Sequence, residues 1–127
     1  MNYYYKKQLN TNFEEAIKKT KSELAKEGFG VLTEIDVKKT LKNKLNEDYD
    51  NYVILGACNP PFAFSALQLE KEIGLLLPCN VIVYQNNNEI FVSAILPTIA
   101  MSMVNNPSMV DVAKEVENKL KKVIDLI

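Results

Sequence analysis

Met109, Val112, Ala113, Val116, Leu120, Val123, Ile124 and Ile127 recur at three- and four-residue spacing, one apolar stripe about five helical turns long. Ser108-Met109-Val110-Asp111 opens this helix in the manner of a capping box. A stripe of that length has to be buried against a surface just as long. A coiled-coil seam would serve, but a helix laid across a sheet is the commoner solution, so the rest of the chain is expected to supply a broad sheet face.

It does supply strands. Residues 3–9 read as a short Tyr-rich strand. Thr11-Asn12-Phe13-Glu14 then reads as a capping box with Thr11 as the cap, before a helix carrying Phe13, Ala16, Ile17, Thr20 and Leu24 on one face and ended by Gly28. A strand over 29–36 alternates Val31, Thr33 and Ile35 with Leu32, Glu34 and Asp36. Asp36 can cap a short helix with Val37, Leu41 and Leu45 on one face, and 46–51 is a polar loop. The run 52–58 is apolar on both faces and reads as a central strand covered on both sides, with Gly56 marking a close backbone approach or a bulge. Asn59 as N-cap and Pro60-Pro61 start a helix with Phe62, Ala63, Ala66, Leu67 and Ile73 inward, ended by Gly74. Strands over 79–84 and 90–96 flank an Asn-rich turn, and 97–107 is a connecting loop too apolar to be purely solvated.

The order is therefore β-α-β-α-β-α-β-β-α in one α+β domain spanning 1–127, with no linker, repeat or low-complexity tract. Two architectures fit. One is a β-α-β4-α plan like half of the TATA-binding protein, a single antiparallel sheet curved around the last helix. The other is a ferredoxin-like split βαβ with 52–58 parallel to 79–84. The first is preferred, because the long final helix needs the broader sheet face.

Composition excludes several functions. Histidine is absent, which removes the commonest general base and metal ligand and every His-containing triad. All fifteen basic residues are lysine, and nucleic-acid readers favour the bidentate fork of arginine, so no nucleic-acid partner is expected. The net charge of −1 gives no attraction to an anionic membrane, and no apolar run is long enough to span one. Residues 1–10 do not read as a signal peptide, and two cysteines make no secreted disulfide scaffold, so the cytoplasm is expected. No nucleophile–base pair is legible, which leaves enzymatic activity open.

The most informative chemistry is Cys58 in G-A-C-N-P-P and Cys79 in L-L-L-P-C-N-V. Topology decides what they can do. Parallel strands would set them at opposite sheet edges, roughly 20 Å apart. Antiparallel neighbours would bring both to the same edge, where a disulfide still needs Cα atoms within about 7 Å. Three uses are open. In a redox pair one thiolate attacks and the other resolves, with the helix start at 60–62 favouring the Cys58 thiolate. Cu(I) or Zn²⁺ could sit on two thiolates, with further ligands from Glu34, Asp36, methionine or a second subunit, although nothing in the sequence requires a metal. Otherwise the thiols are inert core residues in a structural or partner-binding module, with Asn59 and Asn80 tying the two motifs together. Glu34 and Asp36 share a strand face as an acid pair or oxygen site, or else as a wet edge plus a helix cap. Met101, Met103 and Met109 read as core filling rather than a soft-ligand box.

E-G-F-G-V-L-T-E-I-D-V (27–37), I-L-G-A-C-N-P (54–60), A-x-x-A-L (63–67) and I-G-L-L-L-P-C-N-V-I-V-Y (73–84) resemble the domain of unknown function 302 family. The resemblance implies a small β-α-β4-α fold, often a homodimer, and supplies no established activity. A small-ligand, redox or soft-metal site at Cys58 and Cys79 remains the leading expectation.

Overall fold

The structure is a computed structural model that describes residues 2–127. Its strands are β1 (Tyr4–Leu9), β2 (Gly30–Asp36), β3 (Tyr52–Cys58), β4 (Cys79–Asn86) and β5 (Glu89–Ile95). Its helices are α1 (Phe13–Lys26), α2 (Val37–Leu45), α3 (Pro60–Leu69), α4 (Pro97–Ala100) and α5 (Pro107–Leu126), with a 3-10 segment at Lys71–Leu76. All five strands form one sheet in the order β1-β5-β4-β3-β2, and every neighbouring pair is antiparallel. This is the single antiparallel α+β sheet expected. The split βαβ alternative fails because β3 and β4 run antiparallel.

The final helix does what its stripe demands. Met109, Ala113, Val116, Leu120, Val123 and Ile124 are buried. Val116, Leu120, Val123 and Ile124 pack with α1 and with Leu55, Val81, Val83 and Val92 on one sheet face, whereas Met109 and Ala113 join a second cluster with Ala66, Ile73 and Met101. A buried Leu or Val contributes roughly 1.5–3 kcal/mol relative to an exposed one, so this face is the main source of stability. Register fixes the faces. Val53, Leu55 and Ala57 lie opposite Val83, Val81 and Cys79 and point to the core, so Tyr52, Ile54, Ile82, Tyr84, Phe91 and Ser93 belong to the outer face. The apolar run of β3 is therefore not covered on both sides by helices in the way its composition suggests: Tyr52 and Ile54 are only half-buried.

Several local expectations move by a residue or two. Asn12, not Thr11, caps α1, its side chain accepting from the Glu15 N–H at 2.8 Å. Asn106, with Pro107 following, caps α5 in place of Ser108. Gly74 does not end α3, which stops at Leu69 and yields to the 3-10 segment. The apolar connector after β5 contains the short helix α4, and it buries Met101. Gly56 lies beside the β2 bulge between Val31 and Thr33, and a Cβ there would collide with Thr33 Oγ1 and stand 2.9 Å from Pro78 Cγ. Close approach is thus the reason for this glycine.

Candidate functional site

β3 ends at Cys58 and β4 starts at Cys79, so the antiparallel pairing brings both cysteines to one end of the sheet. The register sets Ala57, rather than Cys58, opposite Cys79, and successive side chains leave a strand on opposite faces. Both thiols are free, and they are not close enough to pair. The attack-and-resolve dithiol considered from the sequence lacks the geometry for an internal disulfide. Cys79 is buried and Cys58 half-buried. Burial pushes the Cys79 thiol up to about 11, with the neighbouring Cys58 adding to the rise. At pH 7 its thiolate fraction is about one in ten thousand, which makes it a poor nucleophile.

The other candidates do not gather around the thiols. Asp36 caps α2, accepting from the Lys39 N–H at 2.9 Å. Glu34 pairs with Lys21 at 3.1 Å on the exposed surface. Asn59 is buried and stands at the N-cap position of α3 as expected, but its side chain makes no capping bond. It donates from Nδ2 to the Glu27 carbonyl at 3.0 Å, where its amide also lies beside Gly28. Asn80 points outward and is exposed, so the two asparagines do not tie the cysteine motifs together. Among the described residues no group of three or more Cys, Asp or Glu side chains gathers to hold a metal ion.

Both cysteines nonetheless border one cavity, Cys79 from the start of β4 and Cys58 from the end of β3 where the chain turns into α3. It has a volume of about 280 Å³ and lies between α3, α5 and the cysteine end of β3 and β4. Its origin is side-chain size: Ala57 on the sheet, Ala63 and Ala66 on α3 and Ala113 on α5 all line it. Four methyl groups facing one another from three elements cannot fill the space between them. Phe62, Met101 and Val116 contribute larger apolar surface, and Leu32 and Leu67, both exposed, stand at its mouth. Among the described residues no charged side chain lines it. Asn59 is the one amide there, and its donor is engaged by Glu27. Outside, Lys119 sits 6.0 Å from the centre of the Phe62 ring and 3.9 Å from Glu27. The alanines were legible individually as helix-face or strand residues, but nothing local signalled that they converge.

Residues 5–127 match the family model described as "Domain of unknown function DUF302". No curated protein matches the chain. Among solved structures, the chain is similar to that titled "Crystal structure of uncharacterized conserved protein DUF302 from Bacillus stearothermophilus", with 31% identity, a TM-score of 0.93 and 98% of each chain covered.

Proposed function

The chain belongs to the DUF302 family, and from that premise we propose that it is a small-ligand-binding module whose site is the cavity at the cysteine end of the sheet. The ligand class is a neutral, apolar molecule, and Cys58 and Cys79 serve as lining rather than as a redox or metal centre. The observation that carries this reading is a cavity of about 280 Å³ that no charged side chain lines among the described residues. A 150 Å³ apolar cavity suffices for benzene, so about twice that volume suits a fused bicyclic ring or a medium-length alkyl chain. Replacing any of the four alanines by a larger apolar residue would gain about 0.8 kcal/mol per buried methylene. Space left open on three elements at once is better explained by an occupant than by loose packing. The protonated Cys79 thiol fits this role, since a neutral thiol behaves as a small hydrophobe.

Indole is a suitable neutral probe. Titration followed by amide NMR is expected to give saturable shifts at Ala66, Cys79 and Ala113, with a Kd of order 1 mM or lower. Ala113→Leu should abolish them without loss of stability. Indole should also slow alkylation of the thiols. Shifts that never saturate, or that survive Ala113→Leu, would defeat the proposal, and rapid oxidation of both thiols in native protein would restore the redox reading. Pairing of two copies belongs to the same reading. β2 is an edge strand with Leu32 and Ile35 exposed, and a monomer by light scattering at micromolar concentration would count against it. The two unpaired thiols suit a reducing, cytoplasmic compartment, and recovery of the native protein from an oxidising one would contradict that placement.

A further inference from the structure

The outer sheet face holds a second recess, unrelated to the cysteine cavity. Cross-strand register arranges this face in rows. One row runs Gln8, Phe91, Tyr84, Tyr52; the next runs Lys6, Ser93, Ile82, Ile54; and Tyr4 begins the third opposite Ile95. Rows on one face are two residues apart, about 7 Å. In the first row the rings stack, with centroids 5.5 Å apart for Tyr52 and Tyr84 and 5.3 Å for Tyr84 and Phe91. In the third, Tyr4 meets Tyr3 edge to face at 5.2 Å. Between these two aromatic walls Ser93 is a small side chain among large neighbours, and the volume it leaves is a cleft of about 250 Å³.

Two polar side chains, Ser93 and Lys6, line that cleft. The Ser93 side chain is only 5% exposed. Lys6 forms no ion pair among the described residues. Its ammonium lies 4.5 Å from the centre of the Phe91 ring and 5.6 Å from that of Tyr84. Among the described residues no acidic side chain lines the cleft. Contact with the Tyr84 hydroxyl also raises the Lys6 pKa, so the cation persists across the physiological range.

We propose that this cleft binds one planar aromatic carboxylate, its ring lying over Ser93 and Ile82 against Tyr84 and its carboxylate taken by Lys6. The charge complement selects the anion. The ring walls select a flat group, since aromatic faces gain most from offset or edge contacts with another ring. The stacked Tyr52–Tyr84 pair is too close to admit a ring between its members, so the ligand rests on the floor of the cleft rather than intercalating.

Benzoate, benzyl alcohol and cyclohexanecarboxylate separate the contributions in an amide NMR titration of the full chain. Benzoate should give saturable shifts at Ser93 and Tyr84 below about 20 mM, and each control should bind at least about threefold more weakly. Lys6→Gln, an exposed substitution, should weaken benzoate about fivefold and leave indole binding at the cysteine cavity unchanged. Ser93→Val should fill the floor and abolish binding, and if that variant does not fold, Lys6→Gln decides alone. Absence of saturation, equal affinity for cyclohexanecarboxylate, or indifference to Lys6→Gln would overturn the proposal. So would a dimer that buries this face, recognised by light scattering and by its dissociation in Tyr84→Ala.

Discussion

The protonation of Cys79 has a consequence for stability that can be worked from its surroundings. In the unfolded chain the thiol titrates at its ordinary value of 9.0, and in the fold burial raises it to about 11. Below about pH 9 both states hold the proton, and the burial is fully favourable. Between about 9 and 11 the unfolded chain releases its proton while the folded chain keeps it, so stability falls as pH rises. Above about 11 the contribution is gone. Two pKa units correspond to about 2.7 kcal/mol at the upper limit, and roughly half of that is reached by pH 10. Urea unfolding of wild type and Cys79→Ala between pH 7.5 and 10.5 isolates the effect, because the lysines and tyrosines that titrate in the same range are common to both proteins. The wild-type advantage over Cys79→Ala should shrink by about 1 kcal/mol or more by pH 10. Parallel stability curves would refute the premise that the folded chain holds this thiol in an apolar, water-excluded place, and with it the reading of the cysteines as lining.

Two further outcomes test the geometry that positions the cavity. Gly56→Ala should cost about 1–3 kcal/mol by overpacking, and Thr33→Ala should recover most of that loss in the double mutant, since Thr33 Oγ1 is the nearest obstacle; additive losses in a urea-unfolding cycle would refute the close approach. Asn59→Ala should cost about 1–2 kcal/mol, because it strands the Glu27 carbonyl that Asn59 Nδ2 serves at 3.0 Å, and a thermal melt indistinguishable from wild type would remove that tie from the account.

How much of this was legible before the fold depends on the distance over which each feature is encoded. The α5 stripe and the Asp36 cap are written within one or two helical turns, where side-chain periodicity and backbone sterics act directly, whereas the approach at Gly56 is made by the Thr33 and Pro78 side chains from elsewhere in the chain. Cap identity was harder. Thr11 and Asn12 are both good N-caps, as are Asn106 and Ser108, and only the entry path of the backbone decides which side chain reaches the free N–H groups. The outward face of β3 is illegible locally for a related reason. Half-buried Tyr52 and Ile54 sit beside Tyr84 and Ile82, and these cross-strand neighbours give apolar cover without a helix on top.

The sequence by itself determined the five strands and the long helices, the need for a broad sheet under α5, and the presence of two cysteines at strand ends, but not the end of α3 or the short helix α4. Tertiary structure alone decided that Cys79 faces Ala57, that four alanines from three elements converge on one cavity, and that Ser93 opens a cleft between two aromatic rows. Periodicity records which face of its own element a residue occupies. It carries no record of which residue from a distant element stands opposite, and cavities, thiol pairs and clefts are all made of those oppositions.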